Sequence, residues 1–221
     1  MAAPRSWREV ADGYDVGAAD YDHRHVGGRR RTERIEAPLL AAARGRARVL
    51  ELGVGTGRIL SRVVHGGTRV AIGIDVSAAM LAEAAKKRLT VVRADAHHLP
   101  FAAASFDAIL AGGGVFRYLD AGPALDECAR VLVAGGALAI HQFGATTWSP
   151  RGARRQDPRV RELAHVDELT SLAARRGFGV TRVVRWRSLP VPPHLIEIPA
   201  WLDRRSPVQL WGQVIIVLRR R

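Results

Sequence analysis

Nine consecutive residues constrain this chain more than any others: Val49-Leu50-Glu51-Leu52-Gly53-Val54-Gly55-Thr56-Gly57. The apolar run reads as a buried strand, and it passes into three glycines at alternate positions and then a helix beginning near Arg58. Glycine carries no Cβ, so backbone at such a turn can come close to a bulky ligand. Strand-to-helix turns of this kind are where open α/β sheets bind nucleotides. The spacing is G-x-G-x-G, and Arg58 stands where a dinucleotide fingerprint places its third glycine. That departure argues against a dehydrogenase.

The rest of the chain supplies matching units. A helix is expected over Thr32–Ala43 and the first strand over Arg48–Leu52. The next helix runs from Arg58 to Val64 and stops at Gly66-Gly67. A second strand, Arg69–Ile74, ends in Asp75, and Ser77 reads as the N-cap of a helix reaching Lys87. Strands are expected at Thr90–Arg93, ending in Ala94-Asp95, and at Phe106–Ala111, running into Gly112-Gly113-Gly114. Pro123 suits the first turn of a helix that Gly135-Gly136 would end, with Ala137–His141 as strand five. A helix over Val166–Arg176 and strands at Gly179–Arg187 and Gln209–Leu218 follow. Strand–helix alternation through residue 141 implies parallel βαβ units. The fold class is therefore α/β: a Rossmann-like, doubly wound, seven-stranded, mostly parallel sheet with an antiparallel final strand. No repeat or second domain appears. The whole of 1–221 reads as one domain, with an N-terminal segment 1–30, a core 44–141 and C-terminal strands in 142–221.

Composition bounds the environment. The chain has 221 residues, 48% of them hydrophobic, enough for one full core. Its longest apolar run, Val131 to Ile140, falls short of the roughly 20 residues a membrane helix needs. Met1–Val10 lacks the apolar segment of a signal peptide. The single cysteine, Cys128, excludes an internal disulfide, and a cytoplasmic location is expected. The net charge is +13, and Lys86 and Lys87 are the only lysines, so the excess is arginine. Those arginines are scattered rather than gathered into a basic arm. A nucleic-acid acceptor stays open on charge alone, although no RNA- or DNA-binding motif accompanies it.

Between residues 14 and 141 the motifs resemble those of the class I S-adenosylmethionine-dependent methyltransferases. Their local signature is similar to the ubiquinone/menaquinone-biosynthesis type that acts on small molecules. The resemblance implies S-adenosylmethionine as cofactor and S-adenosylhomocysteine as product. Glu51, Gly53, Gly55 and Gly57 match the motif that lines the methionine part. Asp75, followed by Val76, matches the acid that accepts from the ribose hydroxyls, as suits an acceptor-only carboxylate facing a diol. Met80 falls where an apolar side chain packs on adenine, and Asp95 with Ala96 where the adenine amino group is read. Gly112 and Gly113 match backbone beside the methionine moiety. Tyr14 and Tyr21 match tyrosines that close over the cofactor. They lie seven apart and would share a face if the segment were one helix. Turn, acid, second acid and glycine patch thus end four successive strands, on the edge where parallel sheets bind ligands.

Methyl transfer from a sulfonium is an in-line displacement that chiefly needs alignment and exclusion of water. A base is needed only when the acceptor must lose a proton. His141, at the end of strand five, is the candidate base, with His165 and His194 behind it. Phe116, Arg117 and Tyr118 follow strand four, where substrate-facing residues are expected, and Arg117 could pair with an anionic acceptor. His97 and His98 read as turn residues; no metal site is expected. The proline-bearing segments 144–160 and 188–206, the latter with Trp201, are candidate substrate walls. The expected partner is a small-molecule acceptor, with no membrane, in a monomer or homodimer. An RNA methyltransferase and a non-catalytic cofactor-binding subunit are the alternatives.

Overall fold

The computed structural model describes residues 6–25, 29–143, 166–187 and 211–221. His165, His194, Trp201 and the segments 144–160 and 188–206 lie outside the described residues. The strands are β1 (Arg48–Leu52), β2 (Val70–Asp75), β3 (Thr90–Arg93), β4 (Phe106–Ala111), β5 (Leu132–Phe143), β6 (Phe178–Arg187) and β7 (Trp211–Arg220). They form one sheet in the order β3-β2-β1-β4-β5-β7-β6. The pairs from β3 through β5 are parallel, and β7 runs antiparallel to both β5 and β6. The expected doubly wound sheet with an antiparallel last strand is therefore the observed one.

Alternation along each central strand sorts its side chains onto two buried faces, which is why these strands read as continuous apolar runs. Leu50, Leu52, Ile109, Leu138 and Ile140 pack with Leu125 and Cys128 of α6 (Ala121–Val131) and Leu169 of α7 (Val166–Arg175). Val49, Leu110 and Ala139 face the other way, onto Ile35 and Leu39 of α3 (Arg29–Ala43) and Ile59 and Val63 of α4 (Arg58–His65). Each fully buried leucine or isoleucine contributes about 1.5–3 kcal/mol. Polar side chains secure the helix starts. Ser77 Oγ accepts from Met80 N at 3.1 Å to open α5 (Ala78–Lys86), and Asp120 Oδ1 accepts from Gly122 N at 3.2 Å to open α6.

Two local expectations are corrected. Gly135-Gly136 does not end the helix: α6 stops at Val131, and β5 starts at Leu132 rather than Ala137. The register explains this. Phe106 pairs Leu132 while Ala108 pairs Ala137, so surplus residues of β5 bulge there, and Gly135 takes the φ of +72° that the bulge needs. Nor is the N-terminal segment one helix. It breaks between α1 (Trp7–Asp15) and α2 (Tyr21–His25).

Gly57 joins the turn to α4 at φ +84°, and a Cβ there would collide with the Leu89 side chain. Gly57→Ala should therefore destabilise the fold by about 2 kcal/mol or more, read as a lower urea midpoint at unchanged slope.

Candidate functional site

The parallel register places the turn after β1, Asp75, Asp95 and Gly112-Gly113 on one edge of the sheet. The turn is tied to the second strand: Gly55 N donates to Asp75 Oδ2 at 2.8 Å, and Ser77 N donates to Oδ1 at 2.9 Å. Burial pushes the Asp75 carboxyl above its ordinary range, and these amide bonds oppose that shift. The glycines divide by role. A Cβ on Gly53 or Gly112 would meet Val115 or Ile59, so these two make room for protein. Gly55 (φ +52°) and Gly113 (φ +59°) would direct a Cβ into open space. They form a backbone cradle facing the same edge.

Glu51 lies beneath this cradle at 2% exposure, and its Oε2 has no hydrogen-bond partner among the described residues. Burial raises its pKa well above the usual value, with the Arg58 charge acting against that rise. Arg58 itself pairs with Glu36 of α3, which Arg62 also reaches at 3.3 Å.

The N-terminal segment closes one side. Tyr14 donates to Tyr118 Oη at 2.9 Å, and its ring stands edge-on to Tyr118 at 5.8 Å and tilted to Tyr21 at 6.2 Å. Tyr14 and Tyr21 thus meet across the break between α1 and α2 rather than along one helix face. Burial raises the Tyr21 pKa. Sequence reasoning missed the two acids that dock this segment. Asp15 accepts from Ser77 Oγ and from Ala79 N at 3.1 Å, at the start of α5. Asp22 accepts from Thr56 Oγ1 at 2.6 Å and from Lys87 Nζ at 2.7 Å, and Lys87 also donates to Thr56 O. Each acid directly follows a singled-out tyrosine, the one signal that could have drawn attention to them.

Asp95 accepts from the amide of His97 at 2.9 Å and meets its Nδ1 at 2.6 Å. His97 Nε2 accepts from Asp120 N at 2.8 Å, so the ring proton sits on Nδ1 and the histidine is a strut between β3 and α6. The His97 hydrogen bonds hold the Asp95 carboxyl below its ordinary value against the effect of burial. No His, Cys, Asp and Glu group suited to a metal occurs among the described residues.

Three side-chain expectations need revision. Phe116 is fully buried in the principal core and presents no surface to a substrate. Met80 is 2% exposed, so it offers almost nothing to an adenine ring. His141 does stand at the site edge, but burial pushes its pKa down to about 4, which makes it a weak base. Its Nε2 lies 3.0 Å from Gln213 Oε1 of β7, a contact that places the ring proton on Nε2. Arg117 and Tyr118 lie half-buried in the 3₁₀ turn Val115–Tyr118 above the edge. Gln142, overlooked in the sequence, is buried next to His141, with Oε1 unpartnered among the described residues.

A parallel sheet with a glycine cradle and two acids on its carboxyl edge defines an α/β protein that binds a nucleotide-like ligand. Comparison with known proteins narrows the class. Residues 50–140 match a family described as a methyltransferase domain. The malonyl-[acyl-carrier protein] O-methyltransferase of Geobacter sulfurreducens is 31% identical over 216 residues, 88% of this chain and 78% of that protein. The demethylmenaquinone methyltransferase of Beutenbergia cavernae is 37% identical over 110 residues, 49% of this chain but only 45% of that protein. This chain thus spans less than half of the latter relative's length. Among solved structures, an S-adenosylmethionine-dependent methyltransferase from Archaeoglobus fulgidus superposes with TM-score 0.68 at 18% identity, over 90% of this chain and 98% of that one. The [4+2]-cyclase SpnF superposes with TM-score 0.73 at 19% identity, over 100% of this chain and 97% of that one. The chain belongs to the class I S-adenosylmethionine-dependent methyltransferases. The residues present fit that cofactor: an open cradle at Gly55 and Gly113 and a buried carboxylate oxygen without a partner among the described residues.

The His141 shift has a stability consequence. Its folded pKa lies below the unfolded value of 6.5, so acid favours the unfolded chain. The contribution of the neutral ring is complete above pH 6.5 and is lost as pH falls towards about 4. The wild type should lose about 3 kcal/mol more than His141→Gln between pH 7 and pH 4. Urea unfolding of both proteins at the two pH values measures the difference.

Proposed function

We propose that this chain transfers a methyl group from S-adenosylmethionine to a small-molecule acceptor. The observation that carries the reading is the convergence of an open glycine cradle, a hydrogen-bonded Asp75 and a buried Glu51 on one sheet edge. When bound, the cofactor supplies a methyl group already activated by its sulfonium. The chain's residues hold and orient. Glu51 meets the ammonium end with its unpartnered oxygen, and the backbone at Gly55 and Gly113 lies along the methionine portion. Asp75, anchored by two amides, keeps acceptor capacity for the ribose diol. Asp95, fixed by His97, faces the adenine end together with Val76 and Ala96. Tyr14 and Tyr21 cover the pocket and exclude water.

The acceptor side consists of Tyr118, Arg117, His141 and Gln142, a small polar surface on an aromatic wall. Such a wall suits a compact organic acceptor. The printed names of the relatives, one acting on demethylmenaquinone and one on a malonyl group carried by a protein, support that class. His141, neutral at pH 7 and held by Gln213, orients the acceptor rather than acting as a strong base. The enzyme reading places the protein in small-molecule metabolism in the cytoplasm. RNA is a weaker second reading, supported by the +13 charge alone.

Calorimetric titration with S-adenosylmethionine and S-adenosylhomocysteine, with NADH as control, tests the cofactor. Binding of the first two and not the third is expected. Asp75→Ala should weaken that binding by about 1–3 kcal/mol in a folded variant. Wild-type affinity in the variant would remove Asp75 from the site.

A further inference from the structure

Two histidines stand side by side after β3, and their surroundings differ. His98 is exposed. His97 is half-buried and makes contacts at both ring nitrogens: Nδ1 lies 2.6 Å from Asp95 Oδ1, and Nε2 accepts from Asp120 N at 2.8 Å. A backbone amide can only donate, so Nε2 is the acceptor and the proton on Nδ1 points at the carboxylate. The amide of His97 donates to the same Oδ1 at 2.9 Å. One residue thus sets two donors on one carboxylate oxygen and fixes the rotation of the Asp95 side chain. The far end of the ring is held as firmly. Its donor belongs to Asp120, whose own side chain accepts from Gly122 N at 3.2 Å and opens α6.

This arrangement divides the carboxylate. Both bonds that it accepts among the described residues fall on Oδ1, which leaves Oδ2 for a ligand. The Asp95 side chain is 23% exposed, so a molecule on the sheet edge can reach it. Burial acts to raise this carboxyl, yet the His97 bonds bring it below its ordinary value. Oδ2 is therefore an acceptor with no proton to give. An amino group opposite it gains a hydrogen bond to a charged oxygen, whereas a carbonyl there sets two acceptors against each other. We propose that His97 is a positioning residue for base selectivity: it turns the Asp95 carboxylate so that Oδ2 meets the exocyclic amino group of a purine and rejects a carbonyl at that place. The inference rests on the reading of this pocket as an S-adenosylmethionine site. It gives the histidine a role exerted through Asp95, without ligand contact of its own.

The test is calorimetric titration of the full chain with S-adenosylhomocysteine and with its hypoxanthine counterpart, S-inosylhomocysteine. The wild type should bind the amino-bearing ligand about tenfold or more tightly. His97→Ala should bring that ratio to within about threefold of unity, by weakening S-adenosylhomocysteine while the inosyl ligand keeps its wild-type affinity. His97→Asn keeps a donor near the place of Nδ1 but has no acceptor that reaches Asp120, and it should restore most of the ratio. His98→Ala should leave the ratio unchanged. Circular dichroism confirms folding of each variant. Should His97→Ala fail to fold, His97→Leu replaces most of the ring volume without either nitrogen and serves in its place. Even weakening of both ligands at the wild-type ratio would make His97 a strut of α6 alone, overturning the proposal while the cofactor reading stood. Equal binding of the two ligands by the wild type would overturn it as well, since the base would then go unread at Asp95. Binding of neither ligand by the wild type would remove the pocket reading, and the proposal with it.

Discussion

A carboxylate buried under a glycine turn is the feature on which the rest of this site depends. Glu51 sits on the central strand, between β2 and β4, where water cannot reach it. Leaving one oxygen unpartnered there costs on the order of 1–3 kcal/mol, more if the group is charged. The surrounding groups hold the acid in place. Gly112 is kept free of a Cβ by Ile59 and lies close to Glu51, and the Arg58 charge opposes the rise in the Glu51 pKa. Such a defect in an otherwise well-satisfied core is compensated when a ligand brings the missing donor.

The N-terminal segment is organised around the same edge. Its anchors are acids, and they sit on the two elements that border the cradle: Asp15 at the start of α5, Asp22 on Thr56 of the turn. Asp15 also raises the Asp75 carboxyl, so the charge on this segment and the charge on Asp75 are coupled.

Much of this was legible in the sequence, for identifiable reasons. The limits of β1, β3 and β4 were read correctly because each is an apolar run bounded by charge or glycine. The Ser77 cap was read because its side chain satisfies a local amide. What failed depended on contacts distant in sequence. Gly135-Gly136 resembles a helix stop, and only pairing with β4 turns it into a bulge. Phe116 and Met80 occupy motif positions, yet the core takes up their side chains. The pairing of Glu36 with Arg58 spans α3 and α4 and carries no local signal. Asp15 and Asp22 looked like ordinary polar residues of a leading segment until their partners, more than thirty residues away, were placed.

The antiparallel strand shapes the acceptor side. Because β7 enters between β5 and β6, the residue diagonal to His141 across β5 and β7 is Gln213, on the face shared with Ile215. A parallel strand there would place a different side chain beside the imidazole. The Gln213 contact satisfies Nε2 without adding charge, and burial then holds the ring neutral. Arg58, on the same side, disfavours a second positive charge. One arginine thus acts with opposite consequences on two groups of the site: it helps Glu51 lose its proton and hinders His141 from gaining one. Burial favours the uncharged form of both groups, raising Glu51 and lowering His141, and an imidazole with a pKa of about 4 suits alignment better than removal of a proton.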